Sequence, residues 1–130
     1  RRVGKSARVL AQEDANSIGA RGAQLILSSL ESNRTLLSLD LSNNRLGAAR
    51  LAVPAMLHVN RALRHLVLRR TEFEGDVIRV LSFALIANTY LETLDLSHNH
   101  MPNPSLLSLL SSLFYNRSLR TLAVGYKYSV

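Results

Sequence analysis

With 130 residues, 47% of them hydrophobic, the chain is one domain's worth of polypeptide and can bury a core. It has no cysteine, which excludes disulfides and thiolate metal sites and leans toward a reducing, cytoplasmic setting. No apolar run approaches the ~18 residues of a membrane span and no apolar signal region stands out, while a net charge of +7, with 14 arginines among 16 basic residues, favours flat bidentate contacts with a partner.

Four of the first eight residues are basic (Arg1, Arg2, Lys5 and Arg8), so residues 1–7 read as a basic N-terminal segment. A localisation signal, the stump of a targeting segment and the cut end of a longer protein all fit it; a start on Arg rather than Met favours truncation or processing. From residue 8 onward the chain is repetitive. Ile18-Gly19, Gly22, Ala23, Ile26, Leu27 and Leu30 give a near-helical apolar spacing that ends at Asn33, an amide suited to a left-handed helix end.

At Leu36 a skeleton Leu-x-x-Leu-x-Leu/Val begins, and it returns at Leu63, Leu91 and Leu119, at spacings of 27, 28 and 28 residues. A second ladder, Asn33, Asn60, Asn88 and Asn116, keeps the same spacings. Two ladders with one period identify a solenoid of repeats starting near 8, 36, 63, 91 and 119. Within the first full repeat, period-2 leucines turn Leu39 and Leu41 inward and Ser38, Asp40 and Ser42 to solvent, which predicts a short parallel strand. Asn44 follows at the turn, where its amide satisfies backbone groups that leave the ladder. Asn16 and Asn99 hold the same place, with Thr71 a weaker substitute.

The return segments read as helices. Pro54 in the first removes a backbone donor and predicts a shortened or kinked helix. Phe73, Leu81, Leu85 and Asn88 mark the second; Met101-Pro102-Asn103-Pro104 opens the third, which continues through Leu106, Leu109 and Leu113 to Asn116. In the last repeat Lys127 stands where the turn asparagine belongs, so that turn is irregular or a boundary.

Over about residues 8 to 128 the pattern Leu-x-x-Leu-x-Leu-x-x-Asn-x-Leu with a helical return resembles the ribonuclease-inhibitor-like subclass of leucine-rich repeats. That resemblance implies an α/β fold: a right-handed solenoid with parallel strands on the concave face, helices on the convex face, and 8–130 as a stretch of a longer array. It also implies a macromolecular partner. Relatives include inhibitors, innate immune sensors, actin-regulating proteins and a GTPase-activating protein for the small GTPase Ran, and fold alone does not choose among them.

Stacking the repeats in register gives columns about 4.8 Å apart on the expected concave face. Ser38, His65, Thr93 and Thr121 form one; Asp40, Val67, Asp95 and Ala123 the next; then Ser42, Arg69, Ser97 and Gly125. Beyond the strands lie Asn43, Arg70, His98 and Tyr126, and then Arg45, Glu72, His100 and Tyr128. Arg69 between Asp40 and Asp95 has two readings. It completes a self-satisfied Asp-Arg-Asp network, or it joins Arg70, Tyr126 and Tyr128 in a binding edge, Arg and Tyr being residues that dominate hot spots. Asp40, His65, Arg69, Arg70, Asp95, His98, Tyr126 and Tyr128 are therefore the candidate partner-binding residues. Arg64, Glu92 and Arg120 read as a surface charge ladder.

Three histidines, His65, His98 and His100, invite a zinc reading, but no cysteine or suitably spaced carboxylate accompanies them, so no metal or other cofactor is expected. The sequons Asn33-Arg34-Thr35 and Asn116-Arg117-Ser118 belong to the ladder, and repetition explains them better than glycans do. No P-loop, GxSxG elbow, HExxH or dinucleotide fingerprint occurs, and the expectation is a non-enzymatic interaction module or scaffold that binds a protein through its concave face and C-terminal edge. A regulator of a small GTPase is the alternative by family analogy. An RNA or ribonucleoprotein contact through the basic surface comes third, because aromatics are 5% of the chain and are not interleaved with the arginines. Uncapped ends predict self-association.

Overall fold

The computed structural model describes residues 8–10 and 19–125. Five three-residue strands alternate with helices: β1 (Arg8–Leu10), α1 (Gly19–Ser29), β2 (Ser38–Asp40), α2 (Ala52–Val59), β3 (His65–Val67), α3 (Asp76–Ala87), β4 (Thr93–Asp95), α4 (Asn103–Ser112) and β5 (Thr121–Ala123). All strands are parallel and neighbours in sequence are neighbours in the sheet, in the order β1 to β5. The result is an α/β solenoid in which each rung is one strand, one turn and one returning helix.

Register follows the sequence period: Ser38 pairs His65, which pairs Thr93, which pairs Thr121. Leu39, Leu66 and Leu94, with Leu41, Leu68 and Leu96, are buried in stacked rows against Leu27, Met56, Leu57, Ile78, Leu81 and Leu85 from the helices. Burying a Leu side chain is worth about 1.5 to 3 kcal/mol, and each rung contributes several. Pro54 has the effect its position predicts. A 3-10 turn at Gly47–Leu51 precedes α2, which has only 8 residues, and Pro54 sits in its first turn, where no intrahelical donor is required.

Hydrogen bonds of the Asn ladder join the rungs. The Asn60 amide donates to the carbonyls of Leu30 (2.8 Å) and Asn33 (3.3 Å), while its Oδ1 accepts the N–H groups of Ala62 (2.9 Å) and Leu63 (2.7 Å). Asn88 repeats this toward Leu57 and Asn60, and Asn116 toward Leu85 and Asn88. Leu30, Leu57 and Leu85 lie at or near helix ends, whose carbonyls lack intrahelical partners. The expected left-handed helix end is not what these residues adopt: Asn60 (φ −72°, ψ 136°) and Asn88 (φ −81°, ψ 129°) are extended. Extension lets Oδ1 reach the amides two and three residues ahead while Nδ2 reaches back one rung. These bonds also hold the amide nitrogen of Asn116, the atom a glycan would use.

Two positions read as solvent-facing are buried. Asp40 is 7% exposed and Ser42 5%, because Asp40 Oδ1 accepts the Ser42 N–H (2.9 Å) and the Ser42 hydroxyl accepts the Arg69 N–H (3.3 Å). Asn44, Thr71 and Asn99 are buried at the turns. Asn99 does the most there. Its amide donates to Leu68 (2.7 Å) and Leu96 (3.0 Å) carbonyls, and its Oδ1 accepts from Thr71 and Phe73 (3.0 Å each) on the preceding rung. The Thr71 hydroxyl donates to the Leu68 carbonyl (2.9 Å) and, more weakly, toward Asn99 Oδ1 (3.5 Å). Asn16 lies outside the described residues.

Replacing Asn99 by Ala leaves buried carbonyls and amides unmet and should cost about 1 to 3 kcal/mol, whereas Ser97→Ala, a half-buried position, should be near neutral. Urea unfolding checks this; equal losses would mean that the Asn99 amide does not hold the turn.

Candidate functional site

Where the strands end, the chain turns sharply. Asn43 (φ 64°), Arg70 (φ 53°) and His98 (φ 63°) occupy the same place in three successive rungs and are all left-handed, a region that costs most L-residues about 1 to 2 kcal/mol and that Asn tolerates best. The turn geometry thus projects one side chain per rung along the strand-end edge, and of the three Arg70 is the one poorly suited to the conformation. Glu72, two residues past Arg70, is also left-handed (φ 62°).

The structure brings several candidates together. Arg69 Nε lies 3.9 Å from Asp95 Oδ2, a long, partly exposed ion pair. Asp40, Asn43, Val67, Arg69, Arg70 and Asp95 line an open concave depression of about 360 Å³. On the other side of Arg70, a wider cleft of about 520 Å³ along the strand-end edge is lined by Asn43, Arg45, Arg70, Glu72, His98 and His100 among others. Arg70 and Asn43 form the ridge shared by both. Arg45 pairs with Glu72 at 3.5 Å, and Arg50 ties the Glu72 carbonyl at 3.0 Å, so of the two glutamates that line the cleft, Glu72 is already engaged, beside Glu74. Arg70 is exposed and has no ion-pair or side-chain hydrogen-bond partner among the described residues.

Other candidates sit apart. His65 is half-buried, with Nδ1 2.8 Å from the Thr93 hydroxyl on the next rung, a bond internal to the sheet. His98, although it lines the cleft with Arg70, has its Nδ1 buried without a hydrogen-bond partner among the described residues. No group of three His, Cys, Asp or Glu able to hold a metal occurs among the described residues. Arg64 and Glu92 pair at 3.2 Å, the first step of the charge ladder. Tyr126 and Tyr128 lie outside the described residues.

Two features were not anticipated from the sequence. The left-handed column had a signal in Asn43 and His98, residue types enriched in that conformation. The second is an apolar groove of about 330 Å³ between α3 and α4, walled by Phe83, Ile86, Leu107 and Tyr115 over a floor of serines; Phe83 and Leu107 are each 63% exposed. Leu107 falls off the helical stripe of buried residues and was its sequence signal.

Rung period, parallel sheet and asparagine turns define a leucine-rich-repeat solenoid. The Leucine Rich repeat family matches residues 32–49 and 87–110. The chain is 35% identical over 99 residues to a ribonuclease inhibitor from Sus scrofa and 34% identical over 99 residues to that from Mus musculus, in each case over 75% of this chain and 22% of that protein. It is 33% identical over 90 residues to NACHT, LRR and PYD domains-containing protein 12 from Homo sapiens, over 68% of this chain and 8% of that one. In structure it is similar to Leiomodin-1 Actin-Binding Site 2, with a TM-score of 0.80, 23% identity, and coverage of 95% of this chain and 71% of the other. The chain belongs to the leucine-rich-repeat family, with repeats of the ribonuclease-inhibitor-like type. It spans about a fifth of the length of the ribonuclease inhibitors it matches. Among the described residues, no helix is long and apolar enough to cross a membrane.

Arg70→Asn should raise stability by about 0.5 to 1 kcal/mol, since Asn fits the left-handed turn as it does at position 43. Chemical denaturation measures this; a loss of stability would mean that the Arg70 side chain supports the turn rather than being imposed on it.

Proposed function

We propose that the array is a non-enzymatic protein-recognition module that takes its partner on the concave face and strand-end edge, with Arg70 at the centre of the contact. The observation that carries this reading is Arg70 itself: an exposed arginine held in a left-handed turn, without a described ion-pair partner, on the ridge between two open depressions. Arg69, Asp95 and His98 line the depressions on either side of it, Asp40 contributes through the floor of the concave depression, His65 lies farther off at the start of β3, and the sequence register adds Tyr126 and Tyr128 to the same edge. Family membership supports a protein partner, since similar proteins carry names such as ribonuclease inhibitor. A cytoplasmic location accords with a cysteine-free chain.

Capture of partners by the tagged chain, compared with Arg70→Ala and Arg69→Ala, tests the reading, followed by titration of the captured protein. Each substitution should cost about 2 kcal/mol or more of binding, the signature of a hot spot. Binding to generic RNA that falls steeply with salt and is lost gradually as arginines are removed would replace it with the polyanion reading.

The C-terminal face of the described residues supports a second contact. Leu106, Leu113, Leu119, Leu122 and Val124 are only half-buried, whereas their counterparts one period earlier, Ile78, Leu85, Leu91, Leu94 and Leu96, are buried by the next rung. Among the described residues β5 pairs with β4 alone. An apolar cross-section beside a strand edge that no described residue pairs favours self-association of the 130-residue chain. Light scattering over a concentration series should show mass rising with concentration; a constant monomer mass would refute it.

A further inference from the structure

The excess positive charge is not spread evenly. Strands run from one edge of the solenoid to the other and helices run back, so residues between a helix end and the next strand share one edge. On it lie Arg34, Arg61, Arg64, Arg117 and Arg120, against Glu31 and Glu92. One of those glutamates, Glu92, is committed to Arg64. Toward the strand-end edge, Arg21, Arg45, Arg50, Arg69, Arg70 and Arg79 meet Asp40, Glu72, Glu74, Asp76 and Asp95, with three ion pairs formed. The strand-end side, six arginines against five carboxylates, is nearly balanced; the helix-end edge, five against two, is cationic.

Three of its arginines are in line. Arg34, Arg61 and Arg117 each follow a ladder asparagine, and those asparagines are hydrogen-bonded rung to rung, so the arginines stand in one row with Thr89 filling the remaining place. All three are exposed and none has an ion-pair partner among the described residues. Cations past helix ends do complement the helix dipole. That role does not call for apolar side chains beside them, yet three of the four helices carry them at or just past their ends, α1 alone ending on serines: Val59 is 50% exposed, Ile86 39%, Phe114 89% and Tyr115 67%. Ile86, which also walls the α3–α4 groove, stays exposed with the following rung in place, so apolar exposure here is not merely a result of the array's end.

We infer that this edge is a peripheral docking surface for an anionic lipid bilayer, with the arginine row at the headgroups and Val59, Ile86, Phe114 and Tyr115 entering the interface. A row of cations with apolar tips between them is the chemistry of interfacial attachment, in which charge attraction and shallow apolar burial act together. Phe114 and Tyr115 would suit bases as well as lipid; the aliphatic Val59 and Ile86 offer bases no stacking face and are what favours a membrane over RNA. It is independent of the concave face, which remains free for a protein partner.

Co-sedimentation of the 130-residue chain with phosphatidylcholine vesicles, with or without about 30% phosphatidylserine, tests it. Expected is binding to the anionic vesicles alone, reduced by salt. The double substitution Arg61→Ala/Arg117→Ala should weaken it about tenfold or more, and Arg21→Ala/Arg79→Ala, which removes the same charge elsewhere, should have little effect. Phe114→Ser should also weaken it at constant charge. The inference is overturned if anionic vesicles fail to sediment the chain, if both double variants lose binding equally, if Phe114→Ser changes nothing, or if only polyuridylic acid binds the edge. Both double variants replace exposed side chains, and unchanged melting curves would confirm that folding is not at issue.

Discussion

Backbone carbonyls at the end of each helix are turned toward the interior of the stack, and in this chain one asparagine per repeat meets those of the rung before it. Asn60, Asn88 and Asn116 each donate to a carbonyl near the end of the preceding helix and to the preceding ladder asparagine, and each accepts two amides of its own rung. Buried polar groups left unmet cost about 1 to 3 kcal/mol apiece. The asparagine thus joins adjacent rungs and fixes the lead into the strand at the same time. Asn99 does the equivalent at the opposite edge, serving both its own turn and that of Thr71. With both edges tied, the leucine rows between them have little freedom of register.

This division explains why the fold was legible in the sequence and the site only in outline. Inward leucines and turn asparagines have no alternative residue that fills the same space with the same donors, so the period shows. Short strands and their register follow from Leu39, Leu66 and Leu94 alone. The direction of the Asn60 and Asn88 amides was not visible, because the end of a helix and the clamp to the previous rung ask for the same residue type. Asp40 and Ser42 were misjudged for a related reason. Strand alternation sends them to the concave side, but it cannot say that Asp40 accepts the Ser42 amide and that Ser42 accepts the Arg69 amide of the next rung. Arg70 was placed in the correct column, while its left-handed backbone came from turn geometry that an arginine does not advertise.

Surface chemistry varies freely on such a frame, since a rung needs little from its outward residues. The strand-end side carries matched charges with Arg70 left over; the helix-end edge carries a row of arginines with apolar neighbours. These are separate surfaces on opposite edges, and a solenoid can present both at once because its core lies between them.

The measurement that bears most directly on the rung-to-rung clamp is amide hydrogen exchange in Asn88→Ala. Asn88 accepts the amides of Tyr90 and Leu91, while the amides of Glu92 and Thr93 bond across the sheet to Arg64 (2.8 and 3.0 Å). If the asparagine couples rungs, Glu92 and Thr93 lose protection together with Tyr90 and Leu91. Loss confined to Tyr90 and Leu91, with Glu92 and Thr93 protected as in the unaltered chain, would reduce the ladder to a set of local caps and contradict the account.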